Sequence, residues 1–452
     1  MNEELFSKLD PIFVQNMKKL LGEEFESYEQ ALRDNPVRGL RVNPIKINKQ
    51  RFLKEFSFNL AQVLYEENGF VLESCEKLGN TLMHMAGGFY MQEPSSMMPV
   101  SCLDVPSDAK VLDLCASPGG KSTQVAVKIQ DGLLVSNEIV TSRAKVLYSN
   151  IERMGVKNAV VLNDTPNHIA ENLEGYFDAV LVDAPCGGEG MFKKDPSTID
   201  EWSFDRLQTN HERQIDILSA ADKCLKTGGI LVYSTCTFSE IENEDVILEF
   251  LDCHNYEVLE VPDSVKECTK HGTKVKQARR FYPFSGKGEG QFVCVMQKLE
   301  ECEDWTVPRK SKIKELSKKQ KDIVEEFLKN NFNFDFDYKL IEMHNAVMLV
   351  RSNELDICNT GLNIINAGVR VGSIEKNIFK PHHQLFMALG NYSKLKYNMT
   401  EDEARKYVHG EELEIKDAQN GYYTMFVYNA SIGGAKCSGN KLKNLYPKGL
   451  RI

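Results

Sequence analysis

Two cysteines follow two short apolar segments of the chain, and thiols in such positions can do covalent chemistry. Cys186 comes after Ala179–Val182, and Cys236 comes after Ile230–Tyr233. Short apolar runs bounded by turn residues are typical of buried strands in a parallel sheet. Open α/β sheets bind ligands at the carboxyl ends of their strands, and neighbouring strands lie about 4.8 Å apart. We therefore expect the two thiols to share one pocket.

Paired thiols suit methyl transfer to carbon 5 of cytosine, which is a weak nucleophile. Addition of a thiolate to carbon 6 raises the electron density at carbon 5, and a second thiol can assist release of the adduct. Free cysteine is mostly protonated at neutral pH, so a nearby cation is needed, and Lys121 is the candidate. Asp183 could form a hydrogen bond with the ring nitrogen or the exocyclic amine of the cytosine. A base in structured RNA must first leave its stack.

The segment around residue 118 predicts a turn that admits a ligand close to its backbone. Ser117-Pro118-Gly119-Gly120 separates the predicted strand Val111–Leu114 from the predicted helix Lys121–Ile129. A phosphate-binding loop would require glycine at position 115, where this chain has Cys115, so a nucleotide hydrolase is disfavoured.

Two acidic residues complete the pattern of a nucleoside site. Glu138 ends the second predicted strand, where an acidic side chain binds ribose hydroxyls in nucleoside-binding sheets. Asp164 follows the third strand, where it can accept from an adenine amino group. Because nothing nearby is built for a triphosphate and a metal ion, we expect S-adenosylmethionine as the ligand.

The elements that would carry these residues alternate between strand and helix from Lys110 onward, which predicts a doubly wound parallel sheet. Gly228-Gly229 is interpreted as the stop signal of a helix at about Thr209–Leu225, and Ser239 with Glu242 as a capping box that opens the next helix. The predicted strands are Val111–Leu114, Leu133–Val135, Val160–Leu162, Ala179–Val182, Ile230–Tyr233 and Phe292–Met296.

Composition limits the classes of protein that remain. The 452 residues predict roughly three domains. No run of 18 apolar residues occurs, so no membrane segment is expected. Twelve cysteines without a signal peptide indicate reduced thiols and a cytoplasmic location. The net charge of −10 disfavours nucleic acid, but the last 22 residues carry only basic charges, and local patches decide phosphate binding.

Several strings of this chain resemble the Nop/Nol/Sun family of RNA cytosine-5 methyltransferases, and in particular its branch that acts on bacterial small-subunit rRNA. The strongest matches are Asp113–Lys121, Asp183–Phe192 and Ser234–Thr237, with support from Arg38–Pro44 and from the tail Lys443–Arg451. The likeness covers nearly the whole chain and is most specific in residues 89–297.

The resemblance implies a role for each candidate residue. It implies that Cys236 is the nucleophile and that Cys186 acts in release of the product from the enzyme. It also implies that Asp183 supports the adduct and that Lys121 borders both the cofactor and the catalytic centre. The positions that match contacts to S-adenosylmethionine are Cys115, Ala116, Ser117, Pro118, Gly119, Gly120, Lys121, Glu138, Arg143, Asp164 and Asp183. No metal is expected. Gly187 stands where serine is common, which should loosen the turn after Cys186.

The resemblance also implies an architecture and a partner. We expect an RNA-binding α+β domain at 1–88, a Rossmann-like methyltransferase domain at 89–300, a linker and first C-terminal subdomain at 301–375, and a β-rich, PUA-like RNA-binding domain at 376–452. The expected partner is RNA, 16S rRNA or the small ribosomal subunit, with no membrane and with a monomer as the default. Transfer RNA, a DNA substrate attacked by Cys186, and a noncatalytic assembly factor are the alternatives.

Overall fold

The structure is a computed structural model that describes residues 3–56, 58–73, 78–302, 305–306 and 313–452. Parts of the predicted linker, residues 303–304 and 307–312, lie outside these ranges. Across the described ranges, no helix combines the length and the apolar content needed to cross a bilayer.

The centre of the molecule is a ten-stranded mixed sheet with five parallel strands in its middle. Their order across the sheet is Ala159–Leu162, Leu133–Asn137, Lys110–Asp113, Phe177–Asp183 and Leu225–Thr235, and each neighbouring pair is parallel. The direction of winding reverses between the third and fourth of these strands. In open α/β sheets, ligands bind beyond the carboxyl ends of the strands at such a switch point.

Antiparallel strands extend this sheet at both edges. Beyond Leu225–Thr235 lies Gln291–Lys298, which pairs with Tyr256–Leu259 and also leads to Arg279–Phe281 and Lys270–His271. At the opposite edge, Ile364–Ala367 from the C-terminal part of the chain pairs with Ala159–Leu162. The C-terminal region therefore contributes a strand to the central sheet.

Helices cover both faces of the sheet, as the doubly wound prediction requires. Successive residues of one strand enter different cores: Leu112 and Val180 belong to one, and Val111 and Ala179 belong to the other. One face is covered by the helices Pro166–Asn172, Phe204–Cys224 and Glu244–Cys253, and the other by Gly120–Lys128 and Thr141–Arg153. Shorter helices lie at Met98–Ser101, Ser197–Asp200 and Asp263–Lys266.

The six strands expected from the sequence are all present, but two helix signals were misread. The long helix ends at Cys224, directly before the strand Leu225–Thr235. Gly228-Gly229 lies inside this strand and does not terminate the helix. The capping box is also wrong, because the next helix begins at Glu244. Glu242 instead binds groups on other elements through its buried side chain.

The N-terminal part consists of small helices and a four-stranded antiparallel sheet. The strands lie in the order Leu60–Gln62, Gly69–Leu72, Arg38–Val42 and Phe89–Met91, and the helices are Glu3–Phe6, Pro11–Leu21, Phe25–Arg33, Lys49–Glu55 and Leu82–Met85. Phe13 meets Phe192 edge-on with ring centroids 5.2 Å apart, and Trp202 at 5.7 Å. This contact supports the chain just after Cys186.

The C-terminal part holds two five-stranded sheets. The first has the order Lys314–Glu315, Lys339–Met343, Ala346–Val350, Val369–Glu375 and Ile378–Pro381, and the second Lys396–Asn398, Gly421–Val427, Ala430–Ser438, Lys441–Asn444 and Leu413–Glu414. The helices are Lys318–Asn331, Ser352–Cys358, His383–Leu389 and Glu401–His409. The second sheet shares an apolar core with the N-terminal sheet, where Phe56 meets Tyr428 at 5.1 Å.

Candidate active site

The structure brings the two sequence-predicted thiols together. The strands before them are parallel neighbours, with Asp183 opposite Ser234, and the Sγ atoms of Cys186 and Cys236 lie 3.4 Å apart. The pKa of Cys186 lies well above its usual value because of the hydrogen bond with Cys236 and because the thiol is buried. Cys186 therefore keeps its proton at neutral pH and can donate it toward Cys236.

A buried cation stands beside the thiols. Lys121 lies in the first turn of the helix Gly120–Lys128, and its Nζ donates to Asp183 Oδ2 at 2.7 Å. Burial acts to lower the pKa of Lys121, but the attraction of Asp183, with a smaller contribution from Cys236, raises it above its usual value. Because an opposite charge favours the ionised form, Lys121 supplies a positive charge next to the sulfur atoms.

Asp183 is the hub of this polar centre. Its Oδ1 accepts from Ser234 Oγ at 2.7 Å and from the side-chain amide of Gln291 at 3.4 Å. Gln291 was not singled out from the sequence. The only signal that could have found it is its position just before the last predicted strand, Phe292–Met296, which pairs with the strand that ends at Thr235.

The loop at residues 115–120 has the local geometry of a cofactor turn. Gly119 has φ of 109°, a left-handed conformation that favours glycine, and it precedes the helix Gly120–Lys128. Ser117 Oγ donates to the carbonyl oxygen of Arg143 at 3.1 Å, and the Arg143 guanidinium returns a bond to the Ser117 carbonyl oxygen at 3.2 Å. Cys115 and Ala116 connect the loop to the end of the first parallel strand.

Glu138 occupies the position expected for a ribose ligand. Its side chain is nearly buried at the end of the strand Leu133–Asn137. One oxygen accepts from the backbone N–H of Val140 at 2.8 Å, and the other lies 3.3 Å from Arg143 Nε. The carboxylate faces the cavity described below, so it is placed to accept from hydroxyl groups.

Asp164, the residue predicted to accept from an adenine amino group, follows the strand Ala159–Leu162 and is held by its neighbours. Its carboxylate accepts from the backbone N–H of Asn363 at 2.9 Å and lies 2.9 Å from His168 Nδ1. Burial alone would raise the pKa of Asp164, but these hydrogen bonds lower it. The side chain is thus bound to the C-terminal region, and Asp164 does not line the cavity.

Two adjoining cavities meet at Cys236, and Cys186 lines the larger of them. The larger has a volume of about 590 Å³ and the smaller about 390 Å³. Cys115, Ser117, Arg143, Asp183 and Cys236 line both. The larger cavity also reaches Glu138, Ile139 and Val140, and the smaller also reaches Tyr90, Gln92, Glu93, Lys121, Lys194 and Gln291.

The larger cavity fits S-adenosylmethionine. Its volume lies in the range of about 300 to 1,000 Å³ that is usual for small-molecule sites. Glu138 offers a carboxylate to hydroxyl groups, and the half-exposed Ile139 and Val140 offer apolar surface to an aromatic ring. Arg213 and Asp216, three residues apart on the helix Phe204–Cys224, also line it. Sequence reasoning missed this pair, although their helical spacing places them on one face.

Asp113 is another residue that sequence reasoning did not single out as functional. It ends the first parallel strand, is fully buried and accepts from Ser122 Oγ at 2.6 Å. Burial raises the pKa of Asp113 to about 7, and the neighbouring Asp183 contributes to the same shift. The carboxyl group of Asp113, which is partly protonated at neutral pH, therefore lies close to the Lys121–Asp183 ion pair.

Comparison with known folds defines the class of this protein. A methyltransferase homologue from Pyrococcus horikoshii has a TM-score of 0.58 and 30% identity, over 66% of this chain and 98% of that one. NSun6 from the same organism, solved with SFG, an analogue of S-adenosylmethionine, has a TM-score of 0.58 at 21% identity, over 64% and 98%, which shows the fold alone. The protein is an S-adenosylmethionine-dependent methyltransferase.

Sequence comparison places it more narrowly. Three family models match: the 16S rRNA methyltransferase RsmB/F model at residues 100–297, the RsmF N-terminal domain at 9–94 and the RsmF PUA domain at 394–452. Ribosomal RNA small subunit methyltransferase F of Vibrio vulnificus is 33% identical over 98% of this chain and 97% of its own length. Its counterpart in Shewanella sediminis is 31% identical over 95% and 92%. The chain belongs to the RsmF family.

Proposed function

We propose that this protein methylates carbon 5 of a cytosine in 16S rRNA through a covalent adduct with Cys236. The observation that carries the proposal is the 3.4 Å approach of two thiols at the ends of adjacent strands, beside the Lys121–Asp183 ion pair. Membership of the RsmF family supports RNA methylation, and relatives named for the small ribosomal subunit support 16S rRNA as the substrate.

The smaller cavity is the proposed site of the cytosine. It lies against Lys121, Asp183 and Cys236, and Lys194 stands at its wall as a cation for an RNA phosphate. A base reaches this depth only after leaving its stack. Tyr90, which is nearly buried, provides an aromatic surface at the same cavity.

Each protein group has a defined part in the proposed reaction. Cys236 thiolate adds to carbon 6, and the electron pair of the double bond moves toward carbon 5 and the ring nitrogen. Asp183 holds the base, while the Lys121 charge stabilises the negative charge that develops, as preorganised electrostatic groups do. S-adenosylmethionine supplies the methyl group. The carbon 5 proton then passes to a water molecule, the electron pair of its C–H bond restores the double bond, and the carbon–sulfur bond breaks. Cys186 donates its proton to the departing Cys236 sulfur and regains a proton from solvent.

The test uses cysteine variants with rRNA extracted from a strain that lacks the gene. We expect Cys236→Ala to abolish transfer of a tritiated methyl group and any covalent RNA complex, since the nucleophile is gone. Cys186→Ala should instead accumulate the covalent complex, visible as a slowly migrating band on denaturing gels. Cys253→Ala, at an exposed cysteine, is the matched control and should behave as the wild type.

The alternatives give different results in the same assay. Reversed behaviour of the two variants would exchange the roles of Cys186 and Cys236. Bisulfite mapping of rRNA and tRNA from the deletion strain, with and without added enzyme, identifies the methylated cytosine. If the added enzyme produces new signal in tRNA alone, tRNA and not 16S rRNA is the substrate. If it transfers no methyl group to either RNA, the enzymatic proposal is refuted.

The basic C-terminal tail is proposed to contact RNA phosphates. Lys441, Lys443 and Lys448 are exposed, and substitution of all three by Gln should weaken rRNA binding. Each lost phosphate contact lowers the slope of log affinity against log salt by about 0.7 for single strands, so the slope should fall by about 2. Lys318, Lys319 and Lys321, exposed on the helix Lys318–Asn331, are the matched triple control. Equal slopes for both triple variants would remove the tail from the RNA surface.

A further inference from the structure

The turn that carries Cys186 is held from both sides by buried side chains that the proposed reaction does not use. Before the cysteine, the Gln214 side-chain amide donates to the carbonyl oxygen of Pro185 at 2.9 Å. After the cysteine, the backbone N–H of Gly187 donates to Glu242 Oε1 at 2.8 Å. Both backbone groups that flank Cys186 are thereby fixed to other elements of the fold.

These side chains form a small buried cluster. Gln214 and Glu242 are fully buried, and Asn210 is almost so. Asn210 Nδ2 donates to Glu242 Oε1 at 2.9 Å, and Gln214 Nε2 lies 3.4 Å from the same oxygen. The Tyr233 hydroxyl donates to the backbone carbonyl oxygen of Glu242 at 2.6 Å, which fixes the main chain of this residue as well.

Gly187 permits this close approach. A Cβ atom at position 187 would lie 3.0 Å from Glu242 Oε2 and 2.9 Å from Leu207 Cδ2, so with a side chain there both neighbours would have to shift by a few tenths of an ångström. Glycine was expected to loosen the turn after Cys186. The structure shows instead that this glycine lets a carboxyl oxygen bind the backbone directly.

A buried carboxyl group is costly unless it is well bonded, and Glu242 is not needed as a helix cap. Nor does it face either cavity at the thiols. Its hydrogen bond to the Cys186 turn is the contact that links it to the chemistry. A displacement of about 1 Å in a reacting group can cost on the order of 10²-fold in rate.

We propose that Glu242 and Gln214 are positioning residues that hold Cys186 against Cys236 for the release step. This inference rests on the proposed covalent reaction and adds to it the residues that set the distance between the two thiols. Glu242 also hydrogen-bonds Thr237, next to Cys236, but Pro185 and Gly187 are the backbone groups that the cluster fixes, so we expect the cluster to affect release more than adduct formation.

The test separates release from adduct formation. In Glu242→Ala the Gly187 N–H loses its acceptor, and we expect steady-state methylation to fall by about 10- to 100-fold. Adduct formation in a single turnover should stay within about threefold, so the covalent rRNA complex accumulates as it does in Cys186→Ala. Gln214→Ala should show the same pattern more weakly, because it removes only the hydrogen bond to the carbonyl oxygen of Pro185.

Conservative and matched variants distinguish positioning from general support of the fold. Glu242→Gln keeps an oxygen acceptor for Gly187 and should restore release to within about threefold of wild type, as expected if the hydrogen bond and not the charge matters. Glu354→Ala removes an equally buried carboxyl group from the C-terminal region and should trap no complex. If Glu242→Ala proves unfolded by circular dichroism, Gln214→Ala carries the comparison.

Other outcomes would overturn the inference. A Glu242→Ala protein that loses adduct formation and turnover in equal proportion, without trapped complex, would show general damage. Unchanged turnover, or failure of Glu242→Gln to restore release, would also refute it. Failure of the wild type to form any covalent complex would instead refute the proposed function itself, so the two failures are distinguishable.

Discussion

Lys121 in the proposed catalytic centre and Lys46 at the joint between the terminal regions are both largely shielded from solvent, but their partners differ. Lys121 faces the carboxylate of Asp183 at 2.7 Å, which raises its pKa. Lys46 donates to the carbonyl oxygens of Met387 at 2.6 Å and Ser431 at 3.1 Å, and to Ser431 Oγ at 2.7 Å. Burial, with repulsion from Arg153, lowers the pKa of Lys46 to about 7.

The difference shows that the counter-ion, more than burial, decides what a buried lysine can do. With a carboxylate beside it, the ammonium of Lys121 stays charged and can stabilise charge in a reaction. With only neutral acceptors, Lys46 is a hydrogen-bond donor that fixes the N-terminal region to the C-terminal region. Exchange of each lysine for methionine, which has a similar shape and no charge, should separate these two roles.

The largest effect is expected at the catalytic lysine. Lys121→Met removes the charge beside Cys236 and Asp183, and loss of one preorganised electrostatic contact costs about 10²- to 10³-fold in rate. Lys46→Met, in contrast, should change the methylation rate per folded molecule by less than about threefold, since Lys46 lies away from both cavities. Initial rates with tritiated donor and saturating rRNA measure both.

A matched pair of substitutions sharpens this result. Asp183→Asn should lower the rate by a comparable factor, because Lys121 then loses the partner that raises its pKa. Equal losses in Lys121→Met and Lys46→Met would mean that the first variant reports on folding, and the charge argument would fail.

The intermediate effect is expected in stability at the joint. Lys46→Met removes the side-chain donor of the Ser431 carbonyl oxygen and the closer of two donors to the Met387 carbonyl oxygen, and an unsatisfied buried group costs about 1 to 3 kcal/mol. We expect the melting temperature to fall by several degrees, measured by differential scanning fluorimetry. Lys54→Met, at an exposed lysine of the neighbouring helix, is the control and should melt with the wild type. If Lys46→Met melts at the same temperature as the wild type, the joint does not depend on the hydrogen bonds of Lys46.

The catalytic half of the comparison was accessible from the sequence, whereas the joint was not. The strands before Cys186 and Cys236 are unbroken apolar runs, and adjacency of parallel strands then places their ends together. Lys46 gave no signal, since its acceptors lie more than 340 positions away in the chain. The same reason hid the strand Ile364–Ala367 in the catalytic sheet and the bond from Gly187 to Glu242.

The smallest effect is a dependence of stability on pH that belongs to Lys46 alone. The folded state lowers the pKa of Lys46 from about 10.5 to about 7, so it favours the neutral amine, whereas the unfolded chain stays protonated up to about pH 10. At this side chain the unfolded state therefore binds more protons than the folded state between pH 7 and 10, so the contribution of Lys46 to stability rises with pH in this window. One pKa unit corresponds to about 1.4 kcal/mol, so a rise of about 3 kcal/mol in this contribution is expected from pH 7 to pH 9.5.

The difference between wild type and Lys46→Met isolates this contribution, because other titrating groups are common to both proteins. The difference in melting temperature between wild type and Lys46→Met should widen by a few degrees as the pH is raised from 7 to 9.5. The difference between wild type and Lys54→Met should stay constant. A gap that narrows with rising pH would mean that Lys46 is charged in the folded protein. The joint would then resemble the catalytic centre, and the contrast between the two lysines would disappear.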